Sequence, residues 1–334
     1  MRRLATMLPL VLLAVSTPAI AQATHLLVIV GLGGDEENRA RFHEWASSLV
    51  DAARERGGIP PESLVYLGED TARDPGRIGG RSTREEIANA VGRLASRSRP
   101  GDRVLIVLIG HGAAASGPPR FNLPGPDLSP ADFARLLDRL GGRTVAFVNT
   151  ASASGAFLGP LSGRNRVVIT ATRSDGERNQ TRFPGFFVEA LASTDADLDK
   201  DGRVSMLEAF TWARQRTAAS YEQDGQLLTE HALLDDDGDG KGSAAPGSDG
   251  ADGALARTVF VSAGGAERAG PPADADPGLL ALYEERGALE RRIGELKATR
   301  DGMPPAQYQQ ELESLLLELA RKTREIRERE KGNR

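Results

Sequence analysis

VLIVLIGHG (residues 104–112) and VAFVNTASASGAF (residues 145–157) are apolar runs that each end in small residues. Neither alternates polar with apolar positions, so both read as strands buried on two faces, the pattern of a parallel sheet covered by helices. HLLVIVGL (25–32), SLVYLG (63–68) and VVITAT (167–172) extend the set. Helical signals fall between them. Phe42, Trp45, Leu49 and Ala53 recur at helical spacing within 35–56, and Ser82-Thr83-Arg84-Glu85 reads as a capping box opening a helix through about Arg97. Ser129-Pro130 starts a third, SPADFARLLDRL, ending before Gly141-Gly142. Strands alternating with helices predict an α/β fold with a mostly parallel sheet and helices on both faces. LARTVFVSAG (255–264) reads as one more strand closing that sheet.

In such a sheet the carboxyl ends of neighbouring strands lie together at the edge where ligands bind. His111-Gly112 and Ser152-Ala153-Ser154-Gly155 would meet there as base and nucleophile. His-Gly after one strand and a nucleophile-x-Ser-Gly after the next resembles the legumain-like peptidases, relatives of caspases and gingipains. GLGGDEE (31–37) and FNLPGPDLS (121–129) look like bacterial members of that group, and the resemblance spans roughly residues 24 to 263. It implies a caspase-like fold and cysteine-type endopeptidase ancestry.

Ser152 stands where that group keeps its cysteine, and the chain contains no cysteine at all. A hydroxyl has no thiolate fraction at neutral pH and needs an oriented base together with an oxyanion hole. Asn149, where relatives tend to carry an acid, supplies no carboxylate. Loss of one triad member typically costs several powers of ten in rate. The reading adopted is a pseudopeptidase acting by binding a protein or peptide. One alternative is an active peptidase with Ser152 as nucleophile, His111 as base and the Gly112 N–H as oxyanion donor. Another is a calcium-dependent scaffold working through the C-terminal segment. Gly31-Leu32-Gly33-Gly34 resembles the opening of a dinucleotide fingerprint, but Glu36 occupies the third glycine position, so it reads as a turn.

DLDKDGRVSMLE (197–208) matches an EF-hand loop at each demanding position. Asp197, Asp199 and Asp201 offer the first oxygens, and Gly202 permits the sharp turn. Arg203 offers its carbonyl, Ser205 the often water-mediated position and Glu208 a bidentate close. FPGFFVEALAS (183–193) and LEAFTWARQRTAAS (207–220) read as entering and exiting helices. Calcium is the expected cofactor. A second cluster, DDDGDGKGS from Asp235, repeats the first half through Asp235, Asp237, Asp239 and Gly240, but Pro246 stands where the closing Glu belongs. Weak calcium binding with ligands from elsewhere and an ordinary solvated acidic turn both remain open for 235–246.

Met1-Arg2-Arg3, the apolar stretch Leu8 to Val15 and Ala19-Ile20-Ala21 read as a signal peptide over 1–21, cleaved after Ala21 with Ala23 as runner-up. The stretch is too short to span a membrane. A periplasmic or secreted location is therefore expected, with no membrane span in the mature chain. A net charge of −5 gives no basis for nucleic-acid binding. Glycine- and alanine-rich stretches, GKGSAAPGSDGADG and GGAERAGPPADADP, punctuate the C-terminal half, and 264–276 reads as a linker. From 277 to 330, Leu282, Leu289 and Leu296 recur every seven residues, with Leu279 and Ile293 beside them. Leu312, Leu319 and Ile326 repeat the period after Pro304-Pro305, with Leu315 adjacent. This predicts a helical hairpin with coiled-coil character, folding on itself, docking on the main domain or associating between chains.

Overall fold

The structure is a computed structural model and describes residues 22–114, 117–199, 202–247, 252–261, 276–298 and 303–332. The signal-peptide stretch 1–21, Asp201, residues 262–264 of the expected last strand and nearly all of the linker lie outside the described residues.

A seven-stranded sheet forms the centre, in the order β3-β2-β1-β4-β7-β8-β9. The strands are β1 (Thr24–Val30), β2 (Leu64–Gly68), β3 (Gly80–Arg81), β4 (Arg103–Ile109), β7 (Thr144–Asn149), β8 (Arg166–Thr170) and β9 (Leu233–Asp235). Every pairing is parallel except β8 with β9, where Val168 faces Asp235. A separate two-stranded hairpin joins β5 (Gly112–Ala113) to β6 (Arg120–Phe121).

The apolar runs are continuous because each strand feeds two cores. Leu26, Val28, Leu105, Val107 and Ile109 face one side, where they pack with α1 (Glu36–Glu55), α5 (Phe183–Ala192) and α6 (Met206–Gln223). Leu27, Ile29, Val104, Ile106 and Leu108 face the other, against α2 (Arg84–Arg97), α3 (Pro130–Asp138) and α4 (Leu158–Leu161). Each buried side chain of this size contributes about 1.5–3 kcal/mol. α1 begins where the Asp35 carboxylate accepts from the Asn38 N–H, and Phe42, Ala46, Leu49 and Ala53 form its buried stripe. α3 carries the expected Ser129 cap, reinforced by Asp132.

Two expectations need correction. The cap of α2 is Thr83, whose hydroxyl accepts from Glu86 N–H, one residue later than the box read from sequence. The Ser82 hydroxyl instead donates to Val30 O at 2.6 Å, tying the helix start to the end of β1. Residues 255–261 do not close the sheet. They form a short 3-10 turn at Ala256–Thr258, after which Phe260 bridges Ser205. The antiparallel β9 covers the β8 edge in their place.

At the C-terminus, α7 (Pro277–Ala298) and α8 (Pro305–Gly332) fold back on one another. Leu289, Ile293 and Leu296 pack with Leu315 and Leu319, and Leu279 and Tyr283 with Ile326. Lys322 pairs with Glu285 and Arg329 with Asp276 along the seam. No helix among the described residues is long and apolar enough to cross a membrane.

Candidate functional site

The sheet order reverses between β1 and β4, so the turns after those strands sit at the topological switch point. Gly31 N–H donates to Ile109 O at 2.9 Å, which draws the two turns together. A side chain at Gly31 would overlap the Asn122 carbonyl, and one at Gly110 would press on the Phe121 ring. The main-chain approach requires glycine at Gly31, while the contact at Gly110 is tight.

His111 follows β4 and is half-buried, its ring edge-on to Phe42 with centroids 5.1 Å apart. Its Nε2 lies 3.2 Å from Gly33 O, so Nε2 carries the proton in the neutral tautomer that this contact favours. Ser152 follows β7 and is buried. Its hydroxyl donates to Gly112 O at 3.0 Å, and Gly112 N–H donates back to Ser152 Oγ at 3.2 Å. The structure thus brings Ser152 against Gly112, the residue adjoining His111. Among the described residues no hydrogen bond joins His111 to Ser152, and the Gly112 N–H expected to serve an oxyanion is occupied by the serine itself.

The turn carrying Ser152 is strained. Ala153 has φ of 55°, a left-handed conformation that costs a non-glycine residue roughly 1–2 kcal/mol. It is held by its N–H, which donates to Glu177 O at 2.7 Å. Ser154 and Gly155 are fixed by Thr172, through Oγ contacts of 3.1 and 2.9 Å. Asn149 points its Oδ1 at the Ala151 N–H and leaves Nδ2 buried without a partner.

Sequence reading missed three supports. Asp35 caps α1, and the Asn38 amide is the chief cause that holds its carboxyl group below the usual carboxylate range. Asn38 also accepts from Gln180 at 2.6 Å. Glu177 takes the His231 N–H at 3.0 Å and sets its Oε1 2.6 Å from His231 Nδ1. Beside this region a cleft is lined by Arg41, Trp45, Gln180, Thr181, Arg182, Phe186 and Glu189. Thr181 Oγ1 donates to Thr150 O at 2.6 Å, linking the cleft wall to the Ser152 turn.

The second centre is the loop between α5 and α6. One carboxylate oxygen each from Asp197, Asp199 and Glu208 lies within 4.8 Å of the others. Glu208 organises the loop: Oε1 accepts from Leu198 and Asp199 N–H at 3.0 and 3.1 Å, and Oε2 from the Ser205 N–H and hydroxyl, both at 2.8 Å. Burial raises its pKa despite these bonds. Gly202 has φ of +88° and donates to Asp197 Oδ2 at 2.9 Å, as the sharp turn requires. Ser205 caps α6, and the Arg203 guanidinium lies 4.0 Å over the Phe260 ring. α5 ends at Ala192, short of the loop. The oxygen set suits a hard cation, and Asp197, Asp199 and Glu208 are the described residues that would hold it.

The third group is Asp235, Asp237 and Asp239, also within 4.8 Å of one another.

No family model matches the chain, and no curated protein matches it. Among solved structures it is similar to the crystal structure of protein GSU0716 from Geobacter sulfurreducens, at 11% identity and a TM-score of 0.41, over 64% of this chain and 92% of that one.

Proposed function

We propose that this chain is an exported, calcium-binding protein with a caspase-like domain of the legumain type, acting as a pseudopeptidase that binds a protein or peptide without cleaving it. The observation carrying this reading is the Ser152 hydroxyl, committed to Gly112 O and unlinked to His111. An attacking serine needs its proton taken by a base, and here the donated hydrogen bond goes to a main-chain carbonyl. Strain at Ala153 supports a turn inherited from a nucleophile-bearing ancestor. The cleft bounded by Trp45 and Phe186, with Arg41, Arg182 and Glu189 at its walls, offers apolar and charged contacts to a peptide. The three-carboxylate loop supplies the calcium site.

A serine-directed acylating probe tests the central claim. The wild type is expected to stay unlabelled and to hydrolyse no peptide library. Labelling at Ser152 that disappears in both Ser152→Ala and His111→Ala would establish a serine peptidase and overturn the proposal.

A further inference from the structure

Asp235 is fully buried, yet one oxygen of its carboxyl group has no partner. Oδ1 accepts from the Ser162 hydroxyl at 3.0 Å, while Oδ2 is enclosed without a hydrogen bond. The Gly238 and Gly240 amides favour the charged form of this carboxyl group, but its burial opposes that form more strongly. A buried carboxylate with one oxygen left unpaired is costly for a fold to hold. It has company rather than relief: Asp237 and Asp239 each bring an oxygen within 4.8 Å. The nearby cation does not solve the problem. Lys241 is largely exposed, and its Nζ stops 3.8 Å from Asp239 Oδ2.

The chain around these carboxylates is closed. Leu234 and Ser243 exchange main-chain hydrogen bonds of 3.0 and 2.8 Å across the loop. Gly238 and Gly240 take positive φ values of +86° and +78°. A fourth carboxyl group arrives from outside the motif. Asp252 is buried, accepts from Asp236 N–H at 2.9 Å, and is near enough to Asp235 and Asp237 for their charges to oppose its own. Pro246 cannot close a site, and Asp252 adds a further negative charge nearby. Asp236 is unavailable as a ligand through its side chain, since it accepts from Gly253 and Ala256 N–H at 2.7 Å each.

We infer that Asp235, Asp237 and Asp239 form a second divalent-cation site of the calcium class, with water in place of the missing closing glutamate. A hard cation accepts several carboxylate oxygens at once and completes its shell with water at the exposed Asp237 and Asp239 side. Asp235 ends β9, and the segment leading into β9 is tied through His231 and Glu177 to Ala153, so a bound cation would brace the Ser152 turn.

Calcium titration calorimetry on the mature chain tests this. Two calcium ions per chain are expected, one for each carboxylate cluster. Asp199→Asn should remove only the first-loop event. Asp237→Asn with Asp239→Asn should weaken the second event by roughly tenfold or more, because ligand charge sets affinity in such loops. Both substituted positions are exposed, so the fold, checked by circular dichroism, should be unchanged. A chain binding a single ion that survives Asp199→Asn and is lost in the double variant would support this site and reject the first loop. Calcium binding identical in the double variant and the wild type, or none left once Asp199→Asn has disabled the first loop, would overturn the inference.

Discussion

The Ser152 hydroxyl donates to the carbonyl oxygen of Gly112 at 3.0 Å and accepts from the amide of that same residue at 3.2 Å. The serine therefore satisfies both main-chain groups of Gly112 at the mouth of the β5–β6 hairpin. Ser152→Ala is expected to lower stability by about 1–3 kcal/mol, since it strands a half-buried donor and acceptor. Denaturant midpoints would measure this. A neutral result would mean that water replaces the hydroxyl and that the contact is incidental.

Gly112→Ala tests the same approach from the other side. A Cβ at that position would overlap the Ser152 carbonyl oxygen, which is main chain and has little room to move. We expect a loss of about 1–3 kcal/mol and a lower melting temperature, the usual cost of overpacking. Gly125→Ala makes a useful contrast. It meets open space but sits at φ +109°, so its cost comes from backbone strain alone.

Glu208 and Asp199 separate the structural and metal duties of the first loop. Glu208→Gln is expected to reduce stability by about 0.5–2 kcal/mol even in chelator, because its carboxylate completes the α6 cap with Ser205. Asp199→Asn keeps the shape of the side chain and should cost the chelator-treated protein less than Glu208→Gln. Both should abolish the first loop's share of the calcium-induced rise in melting temperature. An unaltered rise in Asp199→Asn would exclude Asp199 as a ligand.

Glu230 sets an expected pH dependence. Burial raises its pKa above the ordinary value of 4.5, although the Arg182 and Phe183 amides and the Tyr221 hydroxyl all donate to it. Where the folded pKa exceeds the unfolded one, the native state holds a proton that the unfolded chain has released. Stability from this group is therefore full below pH 4.5 and declines as pH rises through the folded pKa. In Glu230→Gln that decline should vanish from the stability–pH curve, leaving a shallower slope than wild type above pH 4.5. Parallel curves for the two proteins would show that Glu230 does not titrate in this window.

Much of the fold was legible because apolar continuity and helical period are local properties. The runs at 25–32, 104–109 and 145–149 became β1, β4 and β7, and the heptads after Pro277 became the α7–α8 pair. β9 was invisible, since three residues, Leu233 to Asp235, carry too little pattern to distinguish a strand from a loop. The apolar stretch at 259–261 misled for the opposite reason. Val259 and Phe260 are buried against Ser205 and Met206 rather than in the sheet, and apolar character records burial without naming the partner. The one-residue error at the α2 cap has a similar origin. Ser82 and Thr83 are both competent hydroxyl caps, and only the proximity of Val30 O decides which is diverted.

The two acidic loops show where sequence stops. Composition by itself determined that no thiol chemistry is open to this chain, and ligand spacing determined that 197–208 presents oxygen donors at the intervals a hard cation needs. Those are properties of residue type and order. Which of its two possible partners Ser152 engages was decided by tertiary packing, because His111 and Gly112 are adjacent in sequence and only the registry of β4 against β7 sets which one meets the hydroxyl. The burial of Asp235 was decided there too. Beside Val168 at the sheet edge, a carboxylate that any linear reading treats as solvated loses its water.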